Sequence, residues 1–169
     1  MITGKGAPPR HAVYPADRAE VIDRVNRLNV AFDEWDIEAM VAAFTEDCVI
    51  DHPRGAIRGH DQLRAFYADY FPLTPGVRRH SLNHVVDPCP GGELEVLHYT
   101  LLVRVAAPSD AEAALAAPLT DDTSGLPAIF IHAIVTDRFR HDRARGWRIA
   151  RRRVESTVAN AALRPASPV

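Results

Sequence analysis

Near residue 78 the hydrophobic period of this chain changes, and that change limits the folds open to it. Before it, apolar residues recur three and four apart, as one face of a helix requires. After it they fall in β-branched and aromatic runs separated by Gly, Pro and Asp. Val21, Val25, Leu28 and Phe32 form one helical stripe, expected to begin at Asp17 with Glu20 completing a capping box. Asp36 is placed to cap a second, short helix carrying Ile37, Met40, Val41 and Phe44. "CVID" reads as a short strand and "HPRGAIRG" as a turn-rich connection. A third helix is expected from His60 to Tyr70, with Leu63, Phe66 and Tyr70 on one face and Pro72 and Pro75 ending it.

The later runs, "RRHSLNHVV", "ELEVLHYTLLVRVA", "AIFIHAIVTDRFRH" and "GWRIARRRVES", read as strands. Helices first and antiparallel strands afterwards is an α+β order, with the helices covering one face of the sheet. The pattern gives one domain over residues 17–157, with flexible ends at 1–16 and 158–169. The connection at 106–127 is long for a hairpin and reads as a lid or an exposed insertion, and "DAEAALAA" has the composition of a short helix within it.

Composition narrows the function classes. A formal charge of −2 lacks the basic excess of a nucleic-acid binder. No run approaches the roughly 20 apolar residues of a membrane span. The first residues lack the apolar core of an export signal, so a cytoplasmic protein is expected. Cys48 and Cys89 follow no metal or redox spacing and read as reduced thiols. Eight histidines, by contrast, need an account.

In "EVLHYTLLV", Val96, His98, Thr100 and Leu102 share one strand face, while Leu97, Tyr99, Leu101 and Val103 share the other. "IFIHAIV" sets His132 beside Phe130 and Ile134, and "RRHSLNHVV" aligns His80, Leu82 and His84 unless a bulge intervenes. A buried imidazole must be hydrogen-bonded or used. Three readings compete: satisfied structural residues, a metal site drawing on His80, His84, His98 and His52, or acid–base catalysis in a dry pocket. No HExxH or Cys-rich spacing supports the metal reading.

Taken together, "AFDEWDIEAMVAAFTEDCVIDHPRG", "IRGHDQLRAFY", "RRHSLNHVV" and "GWRIARRRV" resemble the SnoaL-like branch of the nuclear transport factor 2-like superfamily, over residues 17–157. Its scytalone dehydratases are the nearest mechanistic pattern. The resemblance implies a cone-shaped half-barrel, three N-terminal helices packed on a curved, mostly antiparallel sheet around a pocket. It matches a Tyr-Asp pair of those enzymes to Phe32 and Asp33, and their two histidines to His80 and His98. A tyrosine falls at His52, and a Ser and an Asn fall near His132 and Ile134. Phe32 and His52 therefore depart from the tyrosines that polarise a substrate carbonyl.

On this basis the expected catalytic residues are Asp33, His80 and His98. Asp33 would orient His80 as proton carrier, and His98 would face it across the pocket. His52, His132, Phe32, Trp35, Tyr67 and Phe130 are expected to line the substrate site. The implied activity is dehydration, isomerisation or cyclisation of a small hydrophobic oxygenated metabolite such as a polyketide or terpenoid, with no cofactor and no metal. A non-catalytic binding or assembly module of the same fold is the alternative. So is an epoxide hydrolase, for which Arg104 and Asp137 are available. The resemblance also implies a homodimer, with the outer sheet face as its interface.

Overall fold

The first helix, α1 (Pro15–Glu34), starts two residues before the cap predicted at Asp17. Proline suits the first helical position because its missing N–H would go unbonded there anyway. Tyr14 stands at the N-cap without a side-chain cap bond, so the expected capping box does not form. Asp17 instead accepts a hydrogen bond from Trp147 Nε1 at 3.1 Å, tying the helix to the last strand. Trp35 ends α1 in the left-handed conformation at φ 56°. Asp36 then caps α2 (Ile37–Ala42) by accepting from the Ala39 N–H at 2.9 Å.

The computed structural model describes residues 13–119, 121 and 123–165. Its six strands are β1 (Phe44–His52), β2 (Gly55–Arg58), β3 (Val77–Pro88), β4 (Leu94–Arg104), β5 (Ala128–Asp142) and β6 (Gly146–Ala159). They form one sheet in the order β2-β1-β6-β5-β4-β3, antiparallel throughout except where β1 runs parallel to β6. The connection "HPRGAIRG" is a tight hairpin that returns as β2, with His52 paired to Gly55. Helix α3 (Gly59–Tyr70) follows it, packing against β1, while α1 packs against β3. The segment 106–127 carries the short helix α4 (Ala111–Ala116).

The helices lie on the concave face of the sheet. Val25 and Leu28 of α1, Met40 of α2 and Leu63 of α3 meet Val96, Phe139 and Ile149, all fully buried. Each such side chain contributes about 1.5–3 kcal/mol by leaving water. Bulges interrupt β3, β5 and β6, and each one bends the sheet and reverses which residues face inward.

Parts of both ends expected to be flexible are built into the fold, while residues 166–169 lie outside the described residues. Residues 1–12 lie outside the described residues, but Val13 packs on the core and residues 15–16 are helical. At the other end, 158–159 complete β6, and Leu163 packs beside Val77, Leu102 and Phe130. No helix among the described residues is long and apolar enough to cross a membrane.

Candidate active site

Between the helices and the concave face lies an open-mouthed cavity of roughly 1230 Å³, counting its mouth. Much of its wall is apolar, from Phe32, Phe66, Ile131 and Val154 among others. The polar groups in this wall are unevenly placed, and they decide what the cavity can do.

One chain of polar side chains crosses three strands. Arg152 of β6 donates through Nε and Nη2 to Asp137 Oδ1 and Oδ2 of β5, both at 2.7 Å. Asp137 Oδ2 lies 3.2 Å from Nε2 of His98 on β4. His98 Nδ1 is 3.2 Å from the Thr100 hydroxyl. Asp137 is 0% exposed and His98 2% exposed, so water does not screen these contacts. Burial alone would raise the Asp137 carboxyl, but the Arg152 charge and hydrogen bonds, helped by His98, bring it down to about 2. An ionised carboxylate can only accept, so His98 Nε2 carries the proton and donates to it. Nδ1 is thereby left as the basic nitrogen, beside a threonine hydroxyl that borders the cavity.

A second group stands on β1. His52 Nδ1 accepts the Arg54 backbone N–H at 3.1 Å, which leaves Nε2 as an N–H donor. Its ring is packed by Phe66 and Tyr70 at 5.0 and 6.1 Å between centroids. Burial, then the Arg54 and Arg152 charges, hold its pKa down to about 4, so it is neutral at pH 7. The Tyr67 ring meets Phe32 edge-on at 5.1 Å, and burial raises its hydroxyl well above the usual phenol range. Tyr67 therefore remains a neutral hydroxyl in the wall.

The structure does not bring Asp33 and His80 together. Asp33 accepts from the Arg79 backbone N–H at 3.1 and 3.3 Å and from Arg79 Nη1 at 3.4 Å. His80 is the next residue on β3, so it points to the convex face, where it is exposed and pairs with Leu101. His84 turns inward instead. Leu82 pairs with Tyr99 and Val85 with Leu97, so Asn83 and His84 together face His98 alone. The bulge places Asn83 at φ 56° and lays the His84 ring against His98, 5.6 Å between centroids. His80 and His84 thus sit on opposite faces, which undoes them as a ligand pair.

Of the expected wall residues, Phe32, His52 and Tyr67 line the cavity, as does His98, expected as a catalytic residue. Trp35 packs on Phe32 and Phe71 outside it. Phe130 is buried in a neighbouring cluster with Val77 and Leu102 because a bulge displaces it. His132 lies on the convex face beside Tyr99, opposite to its expected position. Arg104 is spent on the carbonyls of Leu73, Pro75 and Leu163, so it forms no epoxide-hydrolase pair with Asp137. Arg79, Arg152 and the Asp137 contact to His98 were not anticipated. Asp137 was the readable one: it shares strand parity with Ile131, Ala133 and Val135, a carboxylate in an apolar row.

Known proteins share this fold. The family model for the SnoaL-like domain matches residues 14–153. The chain belongs to the SnoaL-like family. ActVI-ORFA from Streptomyces coelicolor superposes with a TM-score of 0.65 at 18% identity, covering 81% of this chain and 94% of that one. Aln2 from a Streptomyces species gives 0.68 at 14% identity, over 86% and 93%. A putative aromatic ring hydroxylase from Novosphingobium aromaticivorans gives 0.67 at 18% identity, over 89% and 98%. At these identities the solved structures establish the shared fold alone. No curated protein matches the chain in sequence.

Proposed function

We propose that this SnoaL-like protein is a cofactor-independent acid–base enzyme, a dehydratase or an isomerase/cyclase, acting on a small hydrophobic oxygenated metabolite such as a polyketide or terpenoid. The observation that supports this reading is the buried Arg152–Asp137–His98–Thr100 chain, which ends at an apolar cavity. Arg152 holds Asp137, Asp137 orients His98, and Nδ1 of His98 accepts a proton from a carbon next to the substrate carbonyl, with Thr100 as the relay. The Asp137 carboxylate stabilises the imidazolium that forms. The negative charge developing on the carbonyl oxygen meets the His52 Nε2–H and the Tyr67 hydroxyl. In a dehydration, the imidazolium returns the proton to the leaving hydroxyl, so water departs and a carbon–carbon double bond remains. General acid–base groups of this kind contribute about 10²–10⁴-fold each.

The test is a panel of β-hydroxy ketones on aromatic and alicyclic skeletons, followed by mass spectrometry. Loss of water or a conversion at constant mass from any of them supports the reading. Tight binding of panel members with no conversion favours a binding module instead. We further propose that two copies pair through the convex face, where Ile129 and Val158 are 54% and 69% exposed.

A further inference from the structure

Arg79 is a buried polar group that the proposed chemistry leaves without a task. Its side chain is 5% exposed, yet Nη2 is buried and has no hydrogen-bond partner among the described residues. Leaving a buried donor unpaired is costly, and more so for a charged group. The guanidinium is held in place: Asp33 takes its backbone N–H and Nη1, and the Phe32 ring lies under it at 4.6 Å. Arg79 is thus held in a fixed position among the residues that line the cavity.

The rest of the wall has the same bias. Arg54, Arg79, Arg152 and Arg164 line the cavity, and no aspartate or glutamate among the described residues does. The carboxylates that pair with three of them, Asp69, Asp33 and Asp137, are not among the lining residues. A ligand thus meets the cationic faces and the apolar rings, not the counter-charges.

We propose that the ligand of this cavity carries a carboxylate, bound at Arg79 Nη2, on a flat apolar skeleton. A guanidinium edge and a carboxylate are matched in charge and planarity, and in a site shielded from water the bond is stronger than at a surface. Strand register sets the length. Arg79 is opposite Leu102, four residues from His98 along β4, or about 14 Å at the usual strand rise. An acid anchored on Arg79 with its reacting end at His98 extends over roughly two fused rings, once the inward reach of both side chains is allowed for. This refines the proposed function by naming a substrate class, and rests on that reading only for the role of His98.

The test is calorimetric titration of the full chain with 2-naphthoate and with 2-naphthamide, which share shape but not charge. The acid is expected to bind about tenfold or more tightly than the amide, the size of one charge-assisted hydrogen bond. Arg79→Gln is expected to bring the two ligands to equal affinity, whereas His98→Asn keeps the preference for the acid. Equal binding of acid and amide by the unaltered chain overturns the proposal, as does no binding of the acid at millimolar concentration. A preference that survives Arg79→Gln overturns it too. The wild-type comparison needs no variant to fold. Should the acid preference hold while no hydroxy ketone that also bears a carboxylate is converted, the catalytic reading fails and this one stands.

Discussion

Residue by residue, the site is built from groups whose protonation is set by what surrounds them. His52 shows this in its pH behaviour. Its pKa is about 4 in the fold, against about 6.5 for a free imidazole, so the unfolded chain binds the extra proton between those values. Stability is therefore intact above pH 6.5 and falls as the pH drops toward 4. Asp137 adds a second loss at lower pH: depressed to about 2, its contribution is full above pH 4 and disappears as the pH falls through 2. Urea titrations from pH 7 to pH 4 are expected to show stability declining in the wild type and declining less in His52→Gln. An equal decline in both would assign the acid sensitivity elsewhere. The histidines that mark a site were readable in the sequence. The pairing was not, because Asp137, though readable as a carboxylate in an apolar row, meets His98 from a strand that lies 39 residues away.

At the level of elements, what separates the predicted site from the observed one is strand parity. Apolar stripes and strand runs follow from local patterns, so the stripe of α1, the Asp36 cap and the four long strands were legible, whereas the start of α1 was not. A bulge is a single added residue without a strong signature of its own, and it reverses the facing of every residue beyond it. Asn83 turned His84 inward, and the interruption in β5 breaks the alternation that would have kept Phe130 and His132 on one face. Simple alternation did hold in "RRR", where Arg152 points inward and Arg151 and Arg153 bond Asp51 and Glu155 on the outside. Asparagine tolerates the left-handed backbone at position 83 better than most residues, and glycine better still. Asn83→Val is expected to cost about 1–2 kcal/mol in chemical denaturation, with Asn83→Gly close to neutral. Equal effects of the two substitutions would mean that the bulge is not held by backbone conformation at this residue.

For the whole molecule, the α+β order and the helix-covered concave face follow from the change of period, and the family match confirms the fold they indicate. The cavity is formed where the curved sheet stands away from the helices, so its lining is drawn from every strand except β2 and could not be read from any one segment. The convex face is the other large surface. If two copies pair there, Val158→Asp is expected to shift the chain from dimer to monomer in light scattering without changing its helix content. A wild type that is monomeric at micromolar concentration would refute that pairing. In the proposed chemistry His98, held by Asp137 and Arg152, carries the proton, and His80 stands outside the site. This is decided by kcat/KM of His98→Asn and His80→Ala, side by side, on the first hydroxy ketone the panel shows to be converted. The expected result is a loss of about 10²-fold or more for His98→Asn and a change within about twofold for His80→Ala. Loss of activity in His80→Ala with His98→Asn unaffected would contradict that assignment.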